Sequence, residues 1–336
     1  MPPKDAFDHK KVKNFVFYFL LFSLICNFAA EMKKVLLLLI TALVLVGCGK
    51  SYEEEKRERK ETQQRLAKEN ADALKIAVLP TLDCLPIYVA SELQLFDTTL
   101  VDVRLKPFTA QMDCDTALIG TSAEGAVTDL VRMERLVRKG EKIHYVAQTG
   151  AYWQLFTNRN ARIRQLKHLE DKMVAMTRYS VTDMLTDRAV DSAKVKSEYV
   201  FRIQVNDVNV RLLMLQNNVM DALWLTEPQA TMARLAKNPV LLDSRKLNMN
   251  YGVVAFNAKK MKTFERKQQL EAFIKGYDAA CDSINKNGVS RYRDLIARYC
   301  NIKPEQVDSL PRDLKFDHAR GPLQSDIERV GAWLKK

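Results

Sequence analysis

From Leu74 onward the chain alternates short apolar, β-branched runs with longer stretches whose apolar residues recur at helical spacing. That order specifies an α/β fold built on mainly parallel sheets with helices packed on their faces. Residues 74–79, 101–105, 125–128, 143–147, 155–158, 173–176, 199–205, 222–225 and 251–257 read as buried or half-buried strands. Residues 86–95, 209–217, 229–236, 264–287 and 291–299 read as helices, the first opening with Pro86 in its first turn. With 336 residues and 47% hydrophobic content, the chain is long enough for two lobes, each with its own core. No internal repeat is evident.

The first 48 residues hold two apolar runs. The second starts Met32-Lys33-Lys34, stays uncharged over 35–46 and closes Leu45-Val46-Gly47-Cys48. Its apolar part is shorter than the roughly 20 residues a membrane-spanning helix needs. A basic start, an apolar middle and a small residue before Cys resemble a bacterial lipoprotein signal. The resemblance implies that Cys48 is lipidated on sulfur, that the chain is cleaved before it and that the new amino terminus is acylated again. Two or more acyl chains, at about 0.8 kcal/mol per buried methylene, hold a protein on a bilayer. The alternative is an ordinary membrane anchor with an incidental Cys. The earlier run, 15–30, has two readings: translation starts at Met32 and residues 1–31 are an artefact of start-site choice, or the run is a slightly short transmembrane helix. Residues 49–73 carry almost no large apolar side chain and read as a charged tether, helical or flexible.

The formal charge of +12 includes six Lys and three acidic residues ahead of Cys48, so the chain from Cys48 onward carries +9. These charges are mixed in sign along the chain, which describes a solvated surface rather than a nucleic-acid stripe. Nucleic acid is not expected as a partner.

Specific residues carry a resemblance to a family. Lys75-Ile76-Ala77-Val78 precedes Leu85-Pro86-Ile87-Tyr88-Val89-Ala90; Ala117-Leu118 precedes Gly125-Ala126-Val127-Thr128-Asp129-Leu130; and Leu169-Glu170-Asp171-Lys172-Met173-Val174-Ala175 follows. Downstream come Leu213 to Leu215, Val219-Met220-Asp221-Ala222 and Glu227-Pro228. In order and spacing these resemble the solute-binding proteins that serve sulfonate, taurine, nitrate and thiamine-pyrimidine-precursor importers. Asp171 and Asn217 stand where that family commonly has Gly. The resemblance implies a type 2 periplasmic binding protein, with 74–152 and 249–336 as lobe one, 153–248 as lobe two, and chain crossings near 150–153 and 248–252. It further implies a monomer without cofactor or metal, facing the periplasm or cell exterior, which delivers a small molecule to the permease and ATPase subunits of an ABC importer.

Open α/β sheets bind ligands beyond the carboxyl ends of their strands. Those positions offer Thr81, Asp83 and Cys84 after the first strand, Thr109 and Gln111 after the second, and Thr128 and Asp129 after the third. In lobe two they offer Tyr179, Ser180, Thr182 and Glu227. Ser, Thr and Asp ahead of a helix also serve as caps, which is a competing role for Asp83 and Thr182. Glu227 fits a helix start beside Pro228, while the family pattern implies a cleft position. Carboxylates at Asp83, Asp129 and Glu227 would repel an anion, so the expected ligand brings hydrogen-bond donors or positive charge, as an aminopyrimidine does, with Tyr179 or Trp153 as a stacking surface.

Cys84, Cys114, Cys281 and Cys300 remain once the leader's Cys26 and the lipid-bearing Cys48 are set aside. Cys281 and Cys300 lie on neighbouring predicted helices and are the candidate pair, against four buried free thiols. No CxxC or Cys/His ligand spacing occurs. A pyrimidine synthase shares the resemblance and is the rival class, but its chemistry wants a His and Cys cluster, and His144, His168 and His318 are far apart in sequence. Neither GxSxG, Walker nor HExxH occurs. A surface interaction lipoprotein with a vestigial cleft is the third class.

Overall fold

The computed structural model of the chain describes residues 51–120 and 122–336. The apolar runs at 15–30 and 35–46 and the Cys48 lipidation site lie outside the described residues. Helix α1 (Tyr52–Asp72) buries none of its residues. Three Glu in its first turn complement the helix dipole, and the pairs Arg57–Glu61 (2.9 Å) and Arg59–Glu55 (3.5 Å) are spaced one helical turn apart. Within the charged stretch, residues 52–72 adopt the helical form.

A compact unit from Asp72 to the end contains two five-stranded sheets. The first holds β1 (Leu74–Val78), β2 (Val103–Pro107), β3 (Gly125–Asp129), β4 (Ile143–Gln148) and β10 (Gly252–Asn257) in the order β2-β1-β3-β10-β4. The second holds β5 (Gln154–Thr157), β6 (Lys172–Met176), β7 (Val200–Gln204), β8 (Ala222–Leu225) and β9 (Val240–Asp243) in the order β7-β6-β8-β5-β9. Each sheet is mixed, because β10 runs antiparallel to β3 and β4, and β5 antiparallel to β8 and β9. Both exceptions are the first strand after a crossing. A chain that leaves one sheet at a strand's carboxyl end and passes over directly must enter the other sheet at the same end, so it runs against its new neighbours. The four remaining strands of each sheet therefore end at the crossings, and the carboxyl ends of the two sheets face a common cleft.

Helices cover both sheets. In lobe one these are α2 (Leu85–Glu92), α3 (Gln111–Ile119), α4 (Leu130–Arg138) and α8 (Phe264–Asn287), followed by α9 (Arg293–Cys300), α10 (Pro304–Val307) and α11 (Gln324–Trp333). Lobe two has α5 (Val181–Ala193), α6 (Val208–Gln216) and α7 (Gln229–Leu235). Phe273 on α8 stacks on Phe96 at 5.5 Å and meets Phe256 of β10 edge-on at 5.4 Å, anchoring lobe one. Trp224 of β8 is fully buried in lobe two, and its Nε1–H donates to Thr186 Oγ1 at 2.8 Å, which removes the penalty of burying a polar edge.

Several sequence expectations shift. The strand expected at 101–105 starts two residues later, β9 behind Pro239 was not foreseen, and neither were α4 and α11. Asp171 holds φ 56°, so the turn usually made by Gly is kept with Asp in the left-handed region. At the second site the left-handed residue is Asn218, φ 58°, and not Asn217. Cys84, Cys114, Cys281 and Cys300 are all free and buried, so the candidate Cys281–Cys300 bridge is not formed.

The two crossings, residues 149–153 and 244–251, lie side by side. Thr149 N–H donates to Gly252 O at 2.8 Å, Trp153 N–H to Ser244 Oγ at 2.9 Å and Ser244 N–H to Trp153 O at 2.9 Å. Gly252 has no room for a side chain: a Cβ there would stand 2.1 Å from Thr149 Oγ1 and 2.6 Å from Ala151 Cβ. Gly252→Ala is expected to destabilise the protein by about 1–3 kcal/mol, the usual range for overpacking. Urea unfolding at constant m-value measures it, and an unchanged midpoint would show that this contact gives way freely.

Candidate functional site

Where the two sheets face each other, strand-end loops from both lobes enclose one small cavity of about 30 Å³. Lobe one contributes Leu79, Thr81 and Asp83 from the turn after β1, Gln111 from the start of α3, and Thr128 and Asp129 from the end of β3. Lobe two contributes Thr177, Ser180, Val181 and Thr182 after β6, Val208 and Arg211 on α6, and Thr226 after β8, while Trp153 comes from a crossing. The smallness reflects closure. Leu82 N–H donates to Glu227 O at 2.9 Å, Gln229 Nε2 to Pro80 O at 2.8 Å, Val181 N–H to Asp129 Oδ1 at 3.2 Å and Val208 N–H to Thr109 O at 3.4 Å, all between lobes. Arg135 of α4 lies over the ring of Tyr179 at 4.0 Å and adds a contact at the rim.

The expected residues divide into two groups. Thr81, Asp83, Gln111, Thr128, Asp129, Ser180 and Thr182 line the cavity. Cys84, Thr109, Tyr179 and Glu227 do not. The Cys84 sulfur faces inward, accepts from Leu79 N–H at 3.3 Å and is pushed far toward the neutral thiol by burial. Thr109 is exposed and offers only its carbonyl to Val208. Tyr179 is 46% exposed beneath Arg135, so it stacks on a guanidinium rather than on a guest. The Glu227 carboxylate is consumed within lobe two, where it accepts from Tyr152 Oη at 2.7 Å, Thr231 Oγ1 at 2.7 Å and Arg234 Nη2 at 2.5 Å.

The competing cap role also resolves differently from expectation. Ser180 caps α5, its Oγ accepting from Thr182 N–H at 3.1 Å, while Thr182 Oγ1 accepts from Thr177 N–H at 2.9 Å. Asp83 caps nothing, and its Oδ1 is buried without a hydrogen-bond partner. Asp129 caps α4 through Arg132 N–H at 3.0 Å and at the same time accepts from Val181 across the cleft.

Arg211 was not anticipated. It is the one charged side chain of α6, Val208–Gln216, and that isolation within an apolar helix was the available signal. Asp207 caps this helix by accepting from Asn209 N–H at 2.8 Å and Val210 N–H at 3.0 Å. Arg211 is buried, donates one Nη1–H to Trp224 O at 2.9 Å, and leaves Nε without a partner. Burial pulls its pKa down to about 10, so it stays cationic at neutral pH. Nearby, Asp115 is paired with Arg132 and accepts from Thr128 Oγ1 at 3.2 Å; burial raises its pKa against the pull of Arg132. None of His144, His168 and His318 lines the cavity, and the described residues contain no group of three or more His, Cys, Asp or Glu arranged to hold a metal.

The sequence profile of NMT1/THI5-like proteins matches residues 81–288, more than half of the chain. The chain belongs to the NMT1/THI5-like family. No curated protein sequence matches it. Among solved structures, this NMT1/THI5-like chain is similar to the ligand-binding component of an ABC-type import system from Staphylococcus aureus, solved with zinc bound, at TM-score 0.66 and 15% identity over 79% of this chain and 91% of that one. It is similar to the periplasmic aliphatic sulphonate binding protein SsuA of Escherichia coli, at TM-score 0.61 and 15% identity over 79% and 92%. It is also similar to a Candida albicans protein described as having the generic periplasmic binding protein fold, at TM-score 0.61 and 15% identity over 77% and 90%. At these identities the likeness shows the fold, which is the two-lobed type 2 architecture with mixed sheets. No described helix is long and apolar enough to cross a membrane.

Burial raises the Asp129 pKa to about 7, against the opposing pull of Arg132. The folded state then holds a proton that the unfolded chain, with an ordinary value of 3.8, releases earlier. The contribution to stability is full below the unfolded value and is lost as pH rises through about 7. Asp129→Asn keeps an oxygen for both N–H donors and removes the titration. Between pH 4 and 8 the wild type is expected to lose stability relative to this variant, read from urea midpoints. Parallel pH profiles would disprove the assignment.

Proposed function

We propose that the chain is the extracytoplasmic solute-binding component of an ABC importer, which closes its two lobes around a small organic molecule and passes it to permease and ATPase subunits. The observation that carries this reading is a cavity lined from both sheets, where Asp83 Oδ1, Gln111 Nε2 and Arg211 Nε are buried without partners. Buried polar atoms are normally paired, and a site that leaves three unpaired around one space is suited to a polar guest. The importer role of the Staphylococcus aureus relative supports the same reading. Space of about 30 Å³ takes a water-sized guest, so an organic molecule enters with the lobes further apart. Among the family's ligands an aminopyrimidine thiamine precursor is favoured over sulfonate or nitrate, because its amino group gives Asp83 a donor, and over taurine, because it brings that donor without a sulfonate's negative charge. The protein works as a monomer held on the outer face of a bacterial membrane by lipid on Cys48.

A second reading, a surface lipoprotein whose cleft is vestigial, is favoured by the small volume alone. A pyrimidine-synthase-like enzyme has less support, since no His faces the cavity. Melting curves of the full chain in mild detergent, with 4-aminopyrimidines, sulfonates, taurine and nitrate, separate them. A true ligand at 100 times its dissociation constant stabilises by about 2.7 kcal/mol, a rise of several degrees in Tm. Stabilisation without turnover supports transport, turnover supports the enzyme, and no shift with any solute supports the vestigial cleft. In cells, Cys48→Ala is expected to move the protein from the membrane to the soluble fraction and to abolish palmitate labelling while leaving the ligand-induced Tm rise intact. Continued sedimentation with membranes would refute the lipid anchor.

A further inference from the structure

Among the groups that line the cavity are an arginine on one jaw and an aspartate on the other, each with a buried polar atom that has no partner among the described residues. On lobe two, Arg211 donates from Nη1 to the Trp224 carbonyl and has no carboxylate within 4.0 Å among the described residues. Its Nε–H is buried and unpaired. On lobe one, Asp83 presents a buried, unpaired Oδ1, and Gln111, which also lines the cavity, presents a buried, unpaired Nε2. The other acids close to the site are already engaged: Asp115 with Arg132, Asp207 with the amino terminus of α6, and Asp129 with two backbone N–H groups. Burial raises the Asp83 pKa against hydrogen bonds from Thr81 and the backbone, and Asp207 supports the Arg211 charge, so what each side chain still lacks is a partner for one buried atom, which a guest can supply.

We propose that Arg211 and Asp83 are the specificity-determining pair of the cleft and select a small solute of no net charge that carries an acceptor group for Arg211 and a donor group for Asp83. This rests on the solute-binding reading given above and sharpens it. The expectation drawn from the sequence counted only carboxylates and so disfavoured an anion; Arg211 adds a donor that an acceptor group on the solute can satisfy. A simple anion would satisfy Arg211 and face the Asp83 carboxylate, and a simple cation would do the opposite. The shared chemistry is an acceptor and a donor on one small frame, which both an amino-heteroaromatic ring and an aliphatic zwitterion provide. Gln111 adds a second donor beside Asp83 and orients the guest without changing its charge class.

Isothermal titration of the full chain in detergent, with 4-aminopyrimidine, taurine, ethanesulfonate, nitrate and ethylammonium as probes, tests the pair. Wild type is expected to bind one or both of the first two at least tenfold more tightly than any of the last three. The taurine and aminopyrimidine arms distinguish the zwitterion from the ring. Asp83→Asn is expected to lose tenfold or more for the preferred probe and to gain for ethanesulfonate or nitrate, while Arg211→Gln loses similarly and gains for ethylammonium. A merely structural role would lower affinity for all probes alike and leave their order unchanged, and that result overturns the proposal even if Tm falls. Ethanesulfonate or nitrate binding wild type as tightly as the dipolar probes overturns the pair and leaves solute binding standing. Absence of binding by all five probes overturns both.

Discussion

Thr149 and Gly252 touch where the chain passes between its two sheets, and there the backbone N–H of one meets the carbonyl of the other with no space for a side chain between them. Because the two crossings are held together, each sheet receives one strand that begins at the junction and four that end there. Loop ends, helix amino termini and their caps are thereby gathered on the facing surfaces, leaving the outer ends of the sheets to ordinary packing. The cleft is a consequence of connectivity before it is a consequence of any particular side chain.

Within the cleft, capping and gripping use the same atoms. Asp129 caps α4 and also accepts from Val181 of the opposite lobe, so the group that satisfies a helix end also records whether the lobes are together. Ser180 and Thr182 are tied to the Thr177 segment and shape the opposite wall. Charge is then divided: Asp115 and Arg132 neutralise each other in lobe one, Glu227 and Arg234 do so in lobe two, and Asp83 and Arg211 remain for whatever lies between. A buried ion pair that is broken is strongly destabilising, so the completed pairs belong to the scaffold.

Much of this was legible in the residues. Largely apolar runs such as Leu74–Val78 and Gly252–Asn257 become strands buried along their whole length, Lys75 and Asn257 included, because sheets covered on both faces leave no solvent side. Helix α8 spans Phe264–Asn287 as its periodicity indicated, opened by a Thr263 cap and closed at Gly288, φ 77°. Helix α4 was hidden because the β3 run continues into Leu130 and Val131, so strand and helix read as one apolar stretch. Seven of the eleven strand-end residues offered by the sequence line the cavity, since strand-end position is a property of topology. Glu227 and Tyr179 miss it because Arg234 and Arg135, neither close enough in pattern to signal a partner, capture them. Arg211 was missed for the converse reason: helical spacing marks a face but does not say that the opposite lobe will close over it.

A space near 30 Å³, sealed by hydrogen bonds between Leu82 and Glu227, Gln229 and Pro80, Val181 and Asp129, and Val208 and Thr109, has a kinetic meaning as well as a geometric one. A molecule larger than water reaches that space only when those seals part together, so its exchange follows the frequency of joint rupture more than the strength of its own contacts. On the solute-binding reading, entry saturates at the rate of lobe separation however concentrated the solute. Release on demand then calls for an outside force that pries the jaws apart, and it would act on the rims, not on the guest.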